Sequence, residues 1–401
     1  MAGYGELLRT PGVARIIAAQ LTARFPNGMT SLAVLLHIEH VTGSYGAAGL
    51  VLAATSVGQA IAGPVTSRWM GVWGMRRVLT LTLAVCAAAI ALLALLEVPL
   101  PVYMALGFIA GLSTPPVQSA VRTIYPKMVT SRQLTPLFSL DASLQEIIWI
   151  IAPVLITFVA LQAGTVPGLL LVVVILIGGG AWFIASPELG RVRIPRSRRS
   201  LGRVLLKPPV ALATVTGFLL IGACSAVEAG VVASFGHGGL ESGIVLAVFA
   251  VGSLAGGLSF GHIPIGRWAM ARRFLIVTVG LAATIFSLNA WWLGGSLLVA
   301  GIGIAPALAV MFAITSASVK FSETAEAYGW IGTGQLIGAA AGSAVAGFLI
   351  DGVGPQGAYI AATLFAVVGL IVAAACVKWF PDLRGRDASP IPDTAPVQTI
   401  T

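Results

Sequence analysis

The stretch from Ser186 to Pro209, SPELGRVRIPRSRRSLGRVLLKPP, is too polar to bury and divides the chain in two. It carries Arg191, Arg193, Arg196, Arg198, Arg199, Arg203 and Lys207 against one acid, Glu188. Comparable lengths of almost uninterrupted apolar sequence lie on either side. A basic, proline-containing strip between two apolar halves is expected to be a linker held in water at one membrane face. A nucleic-acid arm is the competing reading, but the flanking sequence offers it no soluble domain.

The chain is 57% apolar and only 9% charged, with 48 glycines, whereas soluble domains run near 25% charged. Its net charge is +9, so the location of the basic residues matters more than their sum. Cys86, Cys224 and Cys376 all fall in apolar stretches and give neither metal-ligand spacing nor a disulfide framework. The start, MAGYGELLRTPG, is short and polar, and the apolar segment after it is too long for a cleavable signal, so it is expected to be a retained first span.

A bilayer-spanning helix needs about 20 mostly apolar residues. Breaks at Gly, Pro and charge predict twelve, over 12–38, 45–67, 77–98, 101–124, 134–162 and 166–186, then 209–233, 242–262, 273–291, 294–318, 324–350 and 356–380. The fold expected is therefore an all-α integral membrane protein of two pseudo-symmetric six-helix bundles, 1–186 and 209–380, joined by a basic linker over 187–208. The remainder, 381–401, lacks an apolar period and is expected to be a disordered tail. With both termini and the linker in the cytoplasm, Arg68, Arg76, Arg77, Arg122, Lys127, Arg132, Arg267, Arg272, Arg273 and Lys320 all lie at cytoplasmic loops. The loops near His40, Glu97, Gly164, His237, Gly294 and Asp351 hold no Lys or Arg, which is the positive-inside pattern. Trp69, Trp73, Trp182, Trp268 and Trp379 fall at the cytoplasmic helix ends, and Trp291 and Trp292 at an outer one, as amphipathic rings should.

The halves also resemble each other. Gly49-Leu-Val-Leu-Ala-Ala-Thr-Ser-Val-Gly58 matches Gly243-Ile-Val-Leu-Ala-Val-Phe-Ala-Val-Gly252, both in the second helix of their half. Arg76-Arg77 answers Arg272-Arg273, and Gly111-Leu-Ser-Thr-Pro-Pro116 answers Gly301-Ile-Gly-Ile-Ala-Pro306. Continuing at that offset, Phe138 falls on Tyr328 and Gln145 on Gln335. Chance identity between Gly- and Ala-rich helices explains any single match; three in the same helix order point to duplication. Duplicated bundles place a binding site between them near the bilayer midplane.

Two six-helix halves, a basic central loop and the segment GPVTSRWMGVWGMRRVL between the second and third helices resemble the major facilitator superfamily over residues 8–380. That family's signature here is Gly-x-x-x-Asp-Arg-x-Gly-Arg-Arg. Gly74, Arg76 and Arg77 match it, while Gly71 stands where the Asp belongs and Val72 where the Arg belongs. The resemblance implies a latch on the cytoplasmic side, with Arg76, Arg77 and Arg122 as gating residues and the missing acid either lost or supplied elsewhere. The antiporter Gly-Pro of the fifth helix survives only as Ala152-Pro153. PPVQSAVRTIYPKMV followed by LFSLDASLQEIIWIIAP is similar to a bacterial branch of drug or sugar efflux permeases.

Ionisable residues inside spans cost about 2.5–3.5 kcal/mol or more to insert and need a reason. Arg24 lies about twelve residues into the first helix, roughly 18 Å deep. Gln20, Arg24, Asn27 and Ser31 share one narrow arc, beside the helix-weakening Pro26 and Gly28. This polar stripe is read as cavity-lining, against a structural ion pair as the plainer alternative. Glu146, at matching depth on the fifth helix, is the expected partner of Arg24 and a candidate proton site. Asp141 is expected to meet Arg122, as a brace, a gate or a coupling carboxylate. Glu228 on the seventh helix is a second proton or cation candidate, against a satisfied structural acid. Gln145, Trp149, Tyr328, Trp330 and Gln335 complete a candidate substrate surface of amides and aromatic rings, though core packing explains the rings equally well. Glu323 and Glu326 are read as capping acids at a helix start. His37, Glu39 and His40 are read as exposed loop residues rather than a metal site.

These residues predict a secondary active transporter working by alternating access, with proton-coupled efflux of a small organic solute the leading form. An uptake permease for a sugar or organic anion is the alternative, and a receptor or lipid-moving protein on the same fold the reading from another class. No phosphate-binding loop, flavin motif or hydrolase elbow is present, so no enzyme activity and no cofactor are expected. The expected partners are the solute, H+ and the lipid bilayer, with no nucleic acid. The expected form is a monomer in a bacterial plasma membrane.

Overall fold

The structure, a computed structural model, describes residues 4–197, 200–235, 240–261, 263–385 and 388–393. Arg198, Arg199 and His237 lie outside the described residues, as do residues 394–401 of the expected tail.

Among the described residues twelve long helices follow one another. They are α1 (Val13–Thr42), α2 (Tyr45–Trp73), α3 (Met75–Leu95), α4 (Leu100–Leu112, resuming as Val117–Ile124), α5 (Ser131–Ala163) and α6 (Thr165–Ala185). The second half holds α7 (Pro208–Phe235), α8 (Leu240–Phe260), α9 (Ala269–Thr284), α10 (Ala290–Ser318), α11 (Phe321–Val353) and α12 (Gln356–Ala375). Among the described residues ten spans are long and apolar enough to cross a membrane, counting α4 and the turn after it as one. The other two long helices are α1, whose apolar run is diluted by Gln20, Arg24, Asn27 and His37, and α9, which is 16 residues long. The expected continuous fourth helix is broken at Ser113–Pro116, because Pro115 and Pro116 donate no backbone hydrogen bond. The turns before α2 and α10 are set by caps: Ser44 accepts from the Ala47 N–H, and Asn289 from those of Trp291 and Trp292.

The internal repeat has a packing cause. A Cβ on Gly58 would lie 2.4 Å from the Phe108 carbonyl oxygen, and one on Gly111 2.0 Å from that of Thr55. In the second half a Cβ on Gly252 would lie 2.4 Å from the Leu298 carbonyl oxygen, and one on Gly301 2.3 Å from that of Phe249. Each half thus presses its second helix onto its fourth, backbone to backbone, at matched glycines.

The face bearing the N-terminal residues, the basic strip and residues 377–393 is called here the basic face. The strip is docked onto it rather than free. Val204 and Ile194 are buried, Lys207 Nζ pairs with Glu323 at 2.6 Å, and Arg15 pairs with the buried Glu188. The tail is a correction as far as Asp393. Leu383 and Ala388 are buried, the Leu383 N–H donates to the Ile265 carbonyl at 2.9 Å, and Ile391 forms an isolated bridge with Lys320. A few apolar residues (Leu383, Ala388, Ile391) among the prolines and acids are enough to hold it down.

Candidate functional site

The hydrogen bonds that join the halves begin at the basic face and reach mid-helix. Outermost, Arg68 of α2 donates to Glu326 of α11 at 2.9 Å, and the Gly202 N–H of the strip donates to the same carboxylate at 2.8 Å. Below them Gly63 and Gly329 meet without side chains: a Cβ on Gly329 would lie 2.5 Å from the Gly63 carbonyl oxygen. Thr333 donates to the Ala60 carbonyl at 2.8 Å, and Ser139 to that of Gly257 at 2.5 Å. Deepest, Ser253 of α8 donates to Glu146 of α5 at 3.0 Å.

Beyond that level the halves part. From Gln133 to Ser143 nearly every residue of α5 is buried; further along, Ile148, Ala152 and Ile156 are buried and their neighbours are half-buried or exposed. α11 does the same: Glu323 to Gly334 is nearly all buried, and after it Gly338, Gly342 and Ala346 are. A spacing of four is one helix stripe, facing the helix's own half. Both helices therefore lose their partner in the other half at one depth, which opens a cleft toward the face opposite the basic one.

A charge cluster lies under the floor of that cleft, inside the first half. Asp141, fully buried, accepts from Arg24 Nη1 at 3.0 Å, Gln20 Nε2 at 3.1 Å and the Tyr125 hydroxyl at 3.3 Å, and from Arg122 Nε at 2.9 Å. Arg24 also donates to Gln20 at 2.7 Å and to Gln145. The Arg122 guanidinium lies 3.4 Å from the centroid of Phe312, a ring of the second half. Every strong donor here has a partner, which is what makes two buried arginines tolerable.

The expected Arg122–Asp141 pair is formed; the expected Arg24–Glu146 pair is not. Five residues separate Asp141 from Glu146, a rotation of about 140° on a helix. Asp141 faces α1 and α4 of its own half, and Glu146 faces the other half. Glu146 lies within electrostatic range of Glu228. Glu228 is exposed and Glu146 half-buried. Two carboxylates, one from each half, thus stand near each other on the cleft side.

The remaining candidates divide. Asn27 and Ser31 are exposed on the Arg24 arc, one and two turns nearer the opposite face. Trp149 is 52% exposed and shares the face of Gln145 and Glu146 one turn on. These three sit where a cleft wall is needed. Gln335 is half-buried, its Cγ against Gly217 of α7. Tyr328 is buried in the closed region, donating to the Phe312 carbonyl at 3.1 Å with its ring 6.4 Å from Phe138 across the halves. Trp330 packs with Val204 and Val210 beneath the strip. One turn of helix after Glu326, both rings are still on the basic side of the parting.

Arg76 does not span the halves; it donates to the Ser186 carbonyl at 3.1 Å in its own half, and Arg77 is exposed. A charge pair that does join the halves on this face is Arg68 with Glu326, so Glu326 is no mere cap. Glu323 does cap, accepting from the Lys320 N–H at 3.4 Å besides pairing with Lys207. His37, expected in an exposed cluster, is buried and reaches Thr165 at 3.1 Å, because α1 runs on to Thr42. Among the described residues no three His, Cys, Asp or Glu side chains gather as a metal site. Sequence reasoning missed Ser253 and Arg68; the acid missing at Gly71 was the signal for the second.

The family model described as Major Facilitator Superfamily matches residues 16–288 and 225–399. Among curated proteins none matches the chain. Solved structures with the same fold include a bacterial homologue of the iron transporter ferroportin in an outward-facing state, with a TM-score of 0.74 and 13% identity over 92% of this chain and 98% of that one. The E. coli fucose:proton symporter gives 0.70 and 15% identity over 90% of this chain and 98% of that one. The human organic anion transporter MFSD10 (TETRAN) gives 0.69 and 14% identity over 90% of this chain and 100% of that one.

Proposed function

The chain belongs to the major facilitator superfamily, a family of membrane transporters, and on that premise we propose that it is a proton-coupled exporter of a small organic solute working by alternating access. The observation that supports this reading is Glu146, which reaches Ser253 of the other half where the halves part, with Glu228 exposed on α7 of that other half as the second acid. A carboxylate there is reached from the cleft when that side is open, and its charge bears on whether the halves close over it. In the closed region Glu146 accepts from Ser253, a bond whose strength depends on the charge of the acid.

Arg24 is already engaged by Asp141, Gln20 and Gln145. It therefore offers an anionic solute little, whereas among the described residues Glu146 and Glu228 are acids without such partners as Arg24 has. A cationic or neutral amphipathic solute fits a floor of Glu146 and Glu228 with Asn27, Ser31 and Trp149 on the wall. The positive-inside pattern assigns the basic face to the cytoplasm, and the sealed basic side then makes this the outward-facing state. The protein acts in a cell membrane as a single chain, with residues 1–186 and 209–380 as its two moving bodies.

The test is flux into and out of proteoliposomes across a panel of organic cations, neutral amphiphiles, sugars and organic anions, under a pH gradient of each sign. The proposal requires an inward proton gradient to drive solute the other way. Solute and protons moving together would replace export with uptake, and gradient-independent flux would remove the coupling.

A further inference from the structure

A pocket of about 400 Å³ opens on the basic face of the second half, remote from the cleft. Arg267, Trp268, Arg272 and Arg273 line it from the turn before α9 and that helix's first turns, and Asp382 and Arg384 from the segment after α12. The Leu383 N–H bond to the Ile265 carbonyl, 2.9 Å, holds the two walls together.

The charge in this pocket is unbalanced. Arg384 grips Asp382 through Nη2 at 2.6 Å and Nε at 3.0 Å. The side-chain hydrogen bond from Arg384 holds the Asp382 carboxyl down at about 2, so that acid is charged and engaged. Arg267 and Arg272 are exposed. Arg273 is only 7% exposed, its guanidinium lies 4.5 Å from the Phe260 centroid, and its Nε has no hydrogen-bond partner among the described residues. A buried charge short of an acceptor is costly, and Arg273, which lines the pocket, adds its positive charge to that wall, where an anion would offset it. α9 starts at the same place with no side-chain cap on its first turn, which adds free N–H groups and the positive end of a helix.

We propose that this pocket binds a phosphate-bearing anion, as the headgroup of an acidic phospholipid or as a free phosphate ester. Planar guanidinium forks match phosphate oxygens. The exposed Trp268 and Ile263 at its rim sit at a helix end, where headgroups lie, and that position favours the lipid source.

The test uses the full-length protein in detergent, with thermal unfolding and native mass spectrometry read out against added phosphatidylglycerol, phosphatidylcholine or glycerol phosphate. Phosphatidylglycerol is expected to raise the melting temperature above the phosphatidylcholine value and to remain bound in the gas phase. The exposed pair Arg267→Ala and Arg272→Ala should weaken that binding about tenfold or more, while the lipid-free melting temperature stays at the wild-type value. Equal stabilisation by glycerol phosphate alone assigns the site to a soluble ester. Indifference to all phosphate groups, or a phosphatidylglycerol effect that survives both the double variant and Arg273→Gln, overturns the proposal.

Discussion

Arg24 pairs with Asp141 at 3.0 Å, and Glu146, five residues further along α5, turns away from it to meet Ser253 in the other half. One helix thus serves two separate purposes. Asp141 neutralises charge within the first half, and Glu146 is left to the boundary between the halves, where its charge bears on their contact.

Among the described residues Asp141 is the one carboxylate paired with the two buried arginines, so Asp141→Asn leaves both short of charge. Breaking a buried pair this way costs about 3–5 kcal/mol. Thermal unfolding of the purified protein should show a large fall in melting temperature. A melting temperature within a degree of wild type would mean that the cluster carries no structural role.

Glu146→Gln and Glu228→Gln each remove a titrating group from the cleft floor without changing its shape. Each variant should keep solute exchange across proteoliposomes and lose its response to an imposed pH gradient. Arg24→Ala should abolish solute movement altogether while the protein still inserts and purifies, because Gln145 and Asp141 lose their common partner. Unchanged pH dependence in both Glu variants would rule out coupling at these acids.

The clamp across the basic face is Arg68 with Glu326, a charge-assisted bond worth about 1.5–3 kcal/mol. Removing it by Arg68→Ala shifts the open-to-closed ratio by about tenfold or more. Cysteines placed near Gly63 and Gly329 and labelled from the basic side report that shift as faster modification. The exchange Arg68→Glu with Glu326→Arg should restore protection; failure to do so would show that the pair is not the clamp.

Gly63 and Gly329 close the same side by backbone contact, and Gly329→Val puts a branched side chain where even a Cβ lies 2.5 Å from the Gly63 carbonyl oxygen. The variant should fold, since each half packs independently of this contact, but remain open on the basic side and transport poorly. Wild-type flux would show that the helices can part here without consequence.

Glu188 lies outside the spans. Burial is the largest influence on its pKa and raises it, but the Arg15 hydrogen bond, a hydrogen bond from its own backbone and the charges of Arg15 and Arg191 together outweigh this, and the net shift is downward. A depressed carboxylate stabilises the fold above its unfolded value of about 4.3, and that contribution is lost as pH falls through the lower folded value. Glu188→Gln should therefore reduce the melting temperature at neutral pH and narrow the gap to wild type on acidification. A constant gap across pH would count against the Arg15 pair.

The membrane class, the two halves, the side bearing the basic loops and the polar stripe on α1 were all readable in the sequence. Hydropathy is a local property, since a run of apolar residues needs lipid or protein around it wherever it sits. Periodicity likewise placed Gln20, Arg24, Asn27 and Ser31 on one arc before any packing was known. Depth along a helix brought Arg122 to Asp141 correctly, yet it paired Arg24 with Glu146, because depth ignores the rotation of about 140° between Asp141 and Glu146.

Only the tertiary structure decided which surfaces of α5 and α11 are covered. Tyr328 read as well for a solute site as for core packing, and in the structure its ring lies on the closed side, 6.4 Å from Phe138 across the halves. Trp330 was claimed by the docked strip, and residues up to Asp393 by the basic face. The physical reason is that a buried polar or aromatic group is defined by its partners. Many of those partners come from helices a hundred or more residues away, whose approach is set by glycines that carry no chemistry of their own.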